Sequence, residues 1–188
     1  SDGNDAVITK NGNCLNSPCE VFEVRYPVRI ESYRIADGSP GVGRHRGGHG
    51  VERIWQCLAP ITVSAHLNHL EFKPWGLKGG GAAGNTQLLF RRSGEQEWKT
   101  AREMFGTLSN GKFSNVQLFT GDEILLRTPG GGGYGDPLER VPENVHQDVV
   151  DGLLDVATAA EMYGVVIDSR VSAVDREKTA QLRGRMRD

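Results

Sequence analysis

Three residues close together in the chain, His66, His69 and Glu71, could bind a metal ion. Imidazole and carboxylate groups suit zinc or manganese. On a continuous strand His66 and Glu71 would face opposite sides, so a metal site requires a turn after Asn68. Pro74 favours a bend nearby. The alternative is that both histidines lie on the polar face of a strand end or of an interface.

A glycine-rich segment, residues 37–50, holds a second group of candidates, Arg44, Arg46 and His49. Forked guanidinium donors and exposed backbone N–H groups suit a carboxylate or a phosphate, which predicts contact with a substrate or another anion. The alternative is structural. Glycine permits tight turns, and the arginines would then pair with a carboxylate of a neighbouring subunit.

A run of glycines, Gly130–Gly135, precedes a helical pattern and superficially resembles a phosphate-binding loop. It lacks the Gly-Lys-Ser/Thr ending of a P-loop and the strand context of a dinucleotide fingerprint. Adjacent glycines also allow another backbone to approach closely. This favours a packing role at the boundary of a subunit or an active site, with Asp136 capping the turn that follows.

The cysteines, Cys14, Cys19 and Cys57, do not form a recognisable framework. A zinc site would need two ligands besides the loop pair Cys14 and Cys19, and the sequence has no second cysteine pair. Free thiols and a reducing cytoplasm are therefore expected. No apolar run is long enough to span a bilayer.

The balance of charge excludes two classes of partner. The 188 residues include 22 basic and 24 acidic side chains, a net charge of −2, so neither nucleic acid nor an acidic membrane is expected. Only the stretch 170–188 is locally basic. A solvated helix face or a subunit contact is favoured there over anion binding.

The hydrophobic periodicity changes along the chain and predicts an α+β fold. Phe22–Ile30 alternates with period two and predicts a half-buried strand, in which Pro27 indicates an edge or a bulge. Further strands are predicted near 51–58, 61–67, 86–91, 98–101, 116–119 and 123–127. Together with glycine-rich turns, they indicate a mostly antiparallel β body over residues 1–137.

The period becomes helical after the glycine run. Pro142 suits a first helical position, and Val145, Val149 and Leu153 recur four residues apart. A second helix is predicted at 158–163, capped by Thr158, and a third at about 174–186. The prediction is a helical segment, residues 138–188, that packs on the β body or on a partner subunit.

Four blocks of sequence stand out in order along the chain. They are Arg25-Tyr26-Pro27-Val28-Arg29-Ile30-Glu31, Gly43-Arg44-His45-Arg46-Gly47-Gly48-His49-Gly50, Pro74-Trp75-Gly76-Leu77 with Gly79-Gly80, and Thr128-Pro129-Gly130-Gly131-Gly132-Gly133-Tyr134-Gly135-Asp136-Pro137. In this order they resemble the C-terminal third of hydantoinase B/oxoprolinase proteins. The resemblance covers residues 13 to 187, and the last block is its most specific part.

The resemblance implies one part of a larger ATP-dependent enzyme. B-type subunits of this family pair with an A-type subunit that binds ATP and Mg²⁺. The assemblies hydrolyse cyclic amides or carboxylate ketones such as acetone and acetophenone, through a phosphorylated enol or imidate. Some members have a metal site, so Zn²⁺ or Mn²⁺ is implied for the complex.

Most of a B-type subunit precedes the region that this chain resembles. The chain is therefore expected to be a naturally split subunit or a fragment, to need the rest of a B-type subunit, and to be inactive alone. Its own role would be an active-site wall and subunit interface for a small-molecule substrate. The alternative is a non-catalytic module that holds the complex together.

Overall fold

A computed structural model describes residues 1–7, 17–168 and 172–187, so Cys14 and Arg170 lie outside the described residues. The strands and helices alternate irregularly along the chain. The helices are α1 (Cys19–Arg25), α2 (Ala101–Phe105), α3 (Pro142–Val150), α4 (Val156–Tyr163) and α5 (Arg176–Arg187). The strands are β1 (Val28–Ile35), β2 (Val51–Cys57), β3 (Ile61–His66), β4 (Gln87–Arg91), β5 (Lys99–Thr100), β6 (Lys112–Leu118), β7 (Glu123–Arg127), β8 (Ile167–Asp168) and β9 (Ala173–Val174).

The β body has two layers. Five strands form an antiparallel sheet in the order β1-β2-β7-β4-β5, and β3 pairs with β6 as a separate antiparallel ribbon. The alternation predicted for β3 is present, since every second side chain is partly buried. That face packs against a core that includes Phe90 and Leu118, both fully buried. The predicted α+β class, with an antiparallel body and C-terminal helices, is confirmed.

The strand predicted at Phe22–Ile30 is wrong in its first half. Residues 19–25 form α1, in which no residue is buried, so Phe22 and Val24 of the alternation do not face a core. Phe22 and Tyr26 are one helical turn apart, and their ring centroids lie 4.8 Å apart. The strand begins only at Val28. It is an edge strand of the sheet, as Pro27 indicates.

The C-terminal segment has its own apolar cluster, in which Val145, Ala159 and Tyr163 are buried. The predicted cap of α4 at Thr158 is wrong. The helix begins two residues earlier, and the Asp155 side chain accepts a hydrogen bond from the Thr158 backbone N–H. A carboxylate is a favoured N-cap acceptor, which explains the earlier start.

The body and the C-terminal segment touch in the described ranges. Val42 of the body packs against the apolar cluster of the segment, and ion pairs described below join the two parts. A division into separate domains at residue 137 stays a prediction. Within the described residues, no helix is both long and apolar enough to cross a membrane.

Candidate functional site

Three glycine-rich segments, residues 38–50, 74–84 and 128–137, pack backbone against backbone and are called here the glycine-rich junction. Gly41 N–H donates to Gly131 O at 2.8 Å, and Gly81 N–H donates to Val42 O at 2.7 Å. A Cβ placed on Gly80 would lie 2.2 Å from Gly133 O. The close approach of these backbones therefore requires glycine. The segment Gly130–Gly135 packs as predicted, but against other segments of the same chain.

An ion-pair cluster lies beside the glycine-rich junction and begins at Asp5. Arg46 Nη1 donates to Asp5 Oδ1 at 2.9 Å, and the His49 backbone N–H donates to the same oxygen at 2.8 Å. His49 Nδ1 also lies 2.8 Å from that oxygen, and only 3% of His49 is exposed. The N-terminal segment is thus held against the glycine-rich segment 38–50.

Arg140 extends the cluster into the C-terminal segment. It is 2% exposed and donates to both oxygens of Asp2, at 2.6 and 2.9 Å. A further Nη2 bond of 2.7 Å reaches Asp148, which also accepts from Arg46 Nε at 3.2 Å. Two arginines and three carboxylates, with His49, therefore connect the N-terminal segment, the glycine-rich junction and α3.

The ionised state of the cluster is favoured by its geometry. Burial alone would raise the pKa of Asp5, but hydrogen bonds from Arg46 and His49 lower it to about 2. Burial likewise opposes ionisation of Asp2, and the hydrogen bond and charge of Arg140 hold the pKa of Asp2 below its ordinary value. Burial raises the pKa of the neighbouring Tyr163 phenol to about 12.

We expect the folded state to lose stability at low pH, where Asp5 becomes protonated. Because the folded-state pKa is about 2 and the ordinary value is 3.8, the stabilisation is fully present above about pH 4 and is lost as pH falls through 2. Denaturant unfolding from pH 2 to 7 measures this. The stability difference between the wild type and Asp5→Asn should shrink as pH falls. A constant difference would contradict the expectation, and Asp37→Asn, at an exposed carboxylate outside the cluster, is the control.

Five side chains of the glycine-rich junction are at least partly exposed and are called here the outer face: Arg44, His45, Trp75, Leu77 and Tyr134. His45 and Leu77 both form bridge pairs with Tyr134, so these three residues are neighbours across adjoining backbones. Trp75 lies against the backbone of Gly132 and is 75% exposed. Leu77 and Tyr134 are also at least half exposed. Large apolar side chains gathered at a surface in this way favour contact with a ligand or another chain.

The structure separates the three predicted anion contacts. Arg44 lies on the outer face, and its Nη1 is 3.8 Å from Glu139 Oε2, both side chains being more than half exposed. The Arg46 side chain is 11% exposed and His49 is buried, and their carboxylate partners, Asp5 and Asp148, belong to the same chain. Arg44 is therefore the member of the trio placed to meet a ligand, and that contact stays a prediction.

The predicted metal ligands His66, His69 and Glu71 lie where β3 ends. His66 is the last residue of the strand, whereas His69 adopts a φ of 60° and its Nδ1 lies 3.1 Å from Phe72 O. Across the part of the chain that is described, no three His, Cys, Asp or Glu side chains are arranged to hold a metal ion. The structure does not bring the trio together, and metal binding there stays a prediction.

Cys57 is buried in the core of the body, where burial raises its thiol pKa to about 11.

Sequence reasoning missed most of the ion-pair cluster. Asp2 and Arg140 are 138 residues apart, and neither belongs to a short motif. One signal was available, because Asp148 falls on the same helical face as the buried Val145. A carboxylate at such a position needs a cationic partner. The outer face was also missed, although Trp75 and Tyr134 stand inside the blocks that carry the family resemblance.

Comparison with known proteins identifies the family of this chain. The sequence profile of hydantoinase B/oxoprolinase matches residues 1–137, which is most of the chain. The chain belongs to the hydantoinase B/oxoprolinase family. The family resemblance predicted from the four blocks is thereby confirmed.

The relatives are much longer than this chain. It is 35% identical over 184 residues to the B-type subunit of a putative D-/L-hydantoinase from a Pseudomonas species, covering 97% of this chain and 29% of that protein. An ATP-dependent caprolactamase structure from Pseudomonas jessenii matches with a TM-score of 0.72 at 26% identity, over 90% of this chain and 28% of that one. The chain thus spans less than a third of the relatives that it matches.

An acetone carboxylase structure shares the fold. This nucleotide-free structure of an enzyme of ATP-dependent acetone carboxylation matches with a TM-score of 0.80 at 24% identity. The match covers 99% of this chain and 28% of that one. The body and the C-terminal helices therefore recur together in that structure, and at this identity the likeness concerns the fold alone.

Proposed function

We propose that the chain is one part of a multi-subunit, ATP-dependent enzyme that acts on a cyclic amide or a ketone through a phosphorylated intermediate. Its relatives include a B-type hydantoinase subunit and an ATP-dependent caprolactamase, and its fold recurs in an acetone carboxylase. Because the chain spans less than a third of those proteins, we expect the isolated chain to be inactive.

The remaining parts of this enzyme would be an ATP-binding A-type subunit, carrying ATP and Mg²⁺, and the rest of a B-type subunit. A Zn²⁺ or Mn²⁺ site, if the complex has one, fits better on those parts, because the described residues of this chain offer no three-ligand group. The small, odd number of cysteines supports a cytoplasmic assembly.

The contribution of this chain would be an active-site wall and a subunit interface, formed by the outer face. The observation that carries this proposal is the exposure of Trp75, Leu77 and Tyr134, together with the exposed Arg44 side chain one residue before His45, the bridge partner of Tyr134. Apolar and aromatic side chains with one cation can bind a small ring or carbonyl compound that carries a phosphoryl group. The glycine-rich junction beneath them supplies a rigid backbone, and the ion-pair cluster holds that backbone in place.

The alternative is an assembly module whose outer face touches only protein. Both roles use the same surface, and they differ in whether Arg44 meets substrate. A charged side chain at the rim of a protein interface contributes little to affinity. If the Arg44 guanidinium instead binds the phosphoryl group as it is transferred, or the product that carries it, removing the guanidinium should lower turnover.

Reconstitution of the chain with the A-type subunit and the rest of a B-type subunit tests these roles. We expect Arg44→Ala to lower ATP-dependent turnover at least about tenfold while the complex remains intact on gel filtration. Trp75→Ala should lower turnover as well. Arg25→Ala and Leu108→Ala, at exposed positions away from the outer face, are the matched controls. Loss of assembly with unchanged turnover per complex would instead favour the assembly module.

A further inference from the structure

An open groove of about 630 Å³ runs along one face of α5, with the start of α3 as its opposite wall. Residues 176 to 187 of α5 line it, which is three turns of helix, and Pro142 and Glu143 close the other side. At a rise of about 1.5 Å per residue the groove is about 16 Å long. It lies in the C-terminal segment and shares no lining residue with the outer face.

The floor of the groove is formed by small residues. Ala180 and Gly184 are exposed and stand four residues apart, so they lie above one another on the same face of α5. A Cβ placed on Gly184 would meet no atom within 4 Å. The backbone of α5 can therefore be approached closely along this face by another helix.

The walls of the groove carry more positive than negative charge, although Arg176 already pairs with Glu143 of the opposite wall at 2.8 Å. Helix α5 contains five basic residues and one acidic residue, whereas the whole chain has a net charge of −2. Arg183 is held in position because it donates to Tyr163 O at 3.0 Å and to Arg140 O at 2.7 Å. Within the described residues it forms no ion pair, and burial together with the charge of Arg187 lowers its pKa. An anionic group next to Arg183 would relieve this imbalance.

The spacing of the cations distinguishes a helix from a small anion. Arg176, Arg183 and Arg187 follow one another at intervals of seven and four residues along one face. These intervals correspond to about 10 and 6 Å along the axis, too far apart for one phosphate to contact all three. Carboxylates on one face of a second α-helix repeat with the same intervals.

We propose that the α3–α5 groove is a docking site for an acidic α-helix of another subunit, with carboxylates seven and four residues apart facing Arg176, Arg183 and Arg187. The partner helix packs over Ala180 and Gly184. The inference rests on the proposed function only in placing the chain inside a larger assembly. It holds for any reaction that the assembly catalyses.

The experiment uses the 188-residue chain and a synthetic probe. The probe is a labelled, end-blocked, alanine-based helical peptide with three glutamates at the stated intervals, and fluorescence anisotropy at low ionic strength measures its binding. We expect saturable binding with one peptide per chain. Binding should weaken at least about tenfold when glutamine replaces the glutamates, because charge-assisted hydrogen bonds are lost.

A groove-filling variant provides the matched test. Gly184→Leu should fold, because Gly184 lies inside a helix with open space around it and leucine is the better helix former. It should weaken binding about tenfold or more by blocking the floor. Gln181→Leu places the same side chain at an exposed position of α5 that does not line the groove, and it should leave binding unchanged. Arg187→Gln should weaken binding without filling the groove.

Three results would overturn the proposal. They are no binding of the glutamate peptide to the wild-type chain, equal binding of the glutamine peptide, and equal binding to Gly184→Leu once circular dichroism shows that this variant is folded. If millimolar inorganic phosphate displaces the peptide and itself binds with one ion per chain, the groove is a small-anion site instead. Because this assay needs neither ATP nor turnover, it can fail while the proposed function stands.

Discussion

Replacing Gly47 with alanine is expected to prevent the chain from reaching its folded state. The added Cβ would lie 1.8 Å from Gly131 O and 2.4 Å from Gly131 C, and both are backbone atoms that cannot move aside as a side chain does. The two segments would have to separate, which would also break the bond from Gly41 N–H to Gly131 O. We expect a loss of more than about 4 kcal/mol, close to the whole stability of an ordinary domain.

Soluble yield and denaturant unfolding measure the effect. Gly84→Ala is the matched control, because it lies in the same glycine-rich junction but its Cβ would meet no atom closer than 3.5 Å, an ordinary contact. That variant should stay within about 1 kcal/mol of the wild type. Wild-type stability in Gly47→Ala would show that the glycine-rich segments can separate without cost, so that the outer face has no rigid base.

Arg140→Met is expected to destabilise the chain by about 3–5 kcal/mol, the usual cost of breaking a buried ion pair from one side. Methionine fills much of the same volume but leaves Asp2 and Asp148 without their shared cation. Arg140→Lys should recover only part of the loss, because a single ammonium cannot replace bonds from two guanidinium nitrogens to separate carboxylates.

Chemical denaturation measures the change in the free energy of unfolding. Arg176→Met is the control, since Arg176 also pairs with a glutamate at 2.8 Å but its side chain is 83% exposed. Exposed pairs contribute at most about 1 kcal/mol, so that variant should behave like the wild type. Equal effects of the two substitutions would contradict a structural role for the buried cluster.

Gly47 and Arg140 support the outer face but are not part of it. The glycine-rich junction sets the positions of Trp75, Leu77 and Tyr134 through backbone contacts. The ion-pair cluster ties that junction to the first residues and to α3. A variant of the cluster should therefore lower stability and assembly together, whereas Arg44→Ala should lower turnover with stability unchanged. This difference separates residues that support the site from those that could contact substrate.

Most of the β body could be predicted from the sequence, because its signal is local. The alternation in β3 follows from a strand with one buried face, and the predicted limits of β7 agree with the structure. The helical period after Pro142 likewise predicts α3. Helix α1 escaped prediction because period two over Phe22–Tyr26 means a half-buried strand only where a core lies on one side. That segment has none.

The sequence by itself determined the family and the α+β class. Tertiary structure decided what the charged residues do. Arg44, Arg46 and His49 are equivalent in the sequence, yet only Arg44 faces solvent. Asp5 and Asp148, from opposite ends of the chain, both pair with Arg46, and Asp5 also hydrogen-bonds to His49. A buried charge needs a partner, and the chain position of that partner is not restricted by any local periodicity.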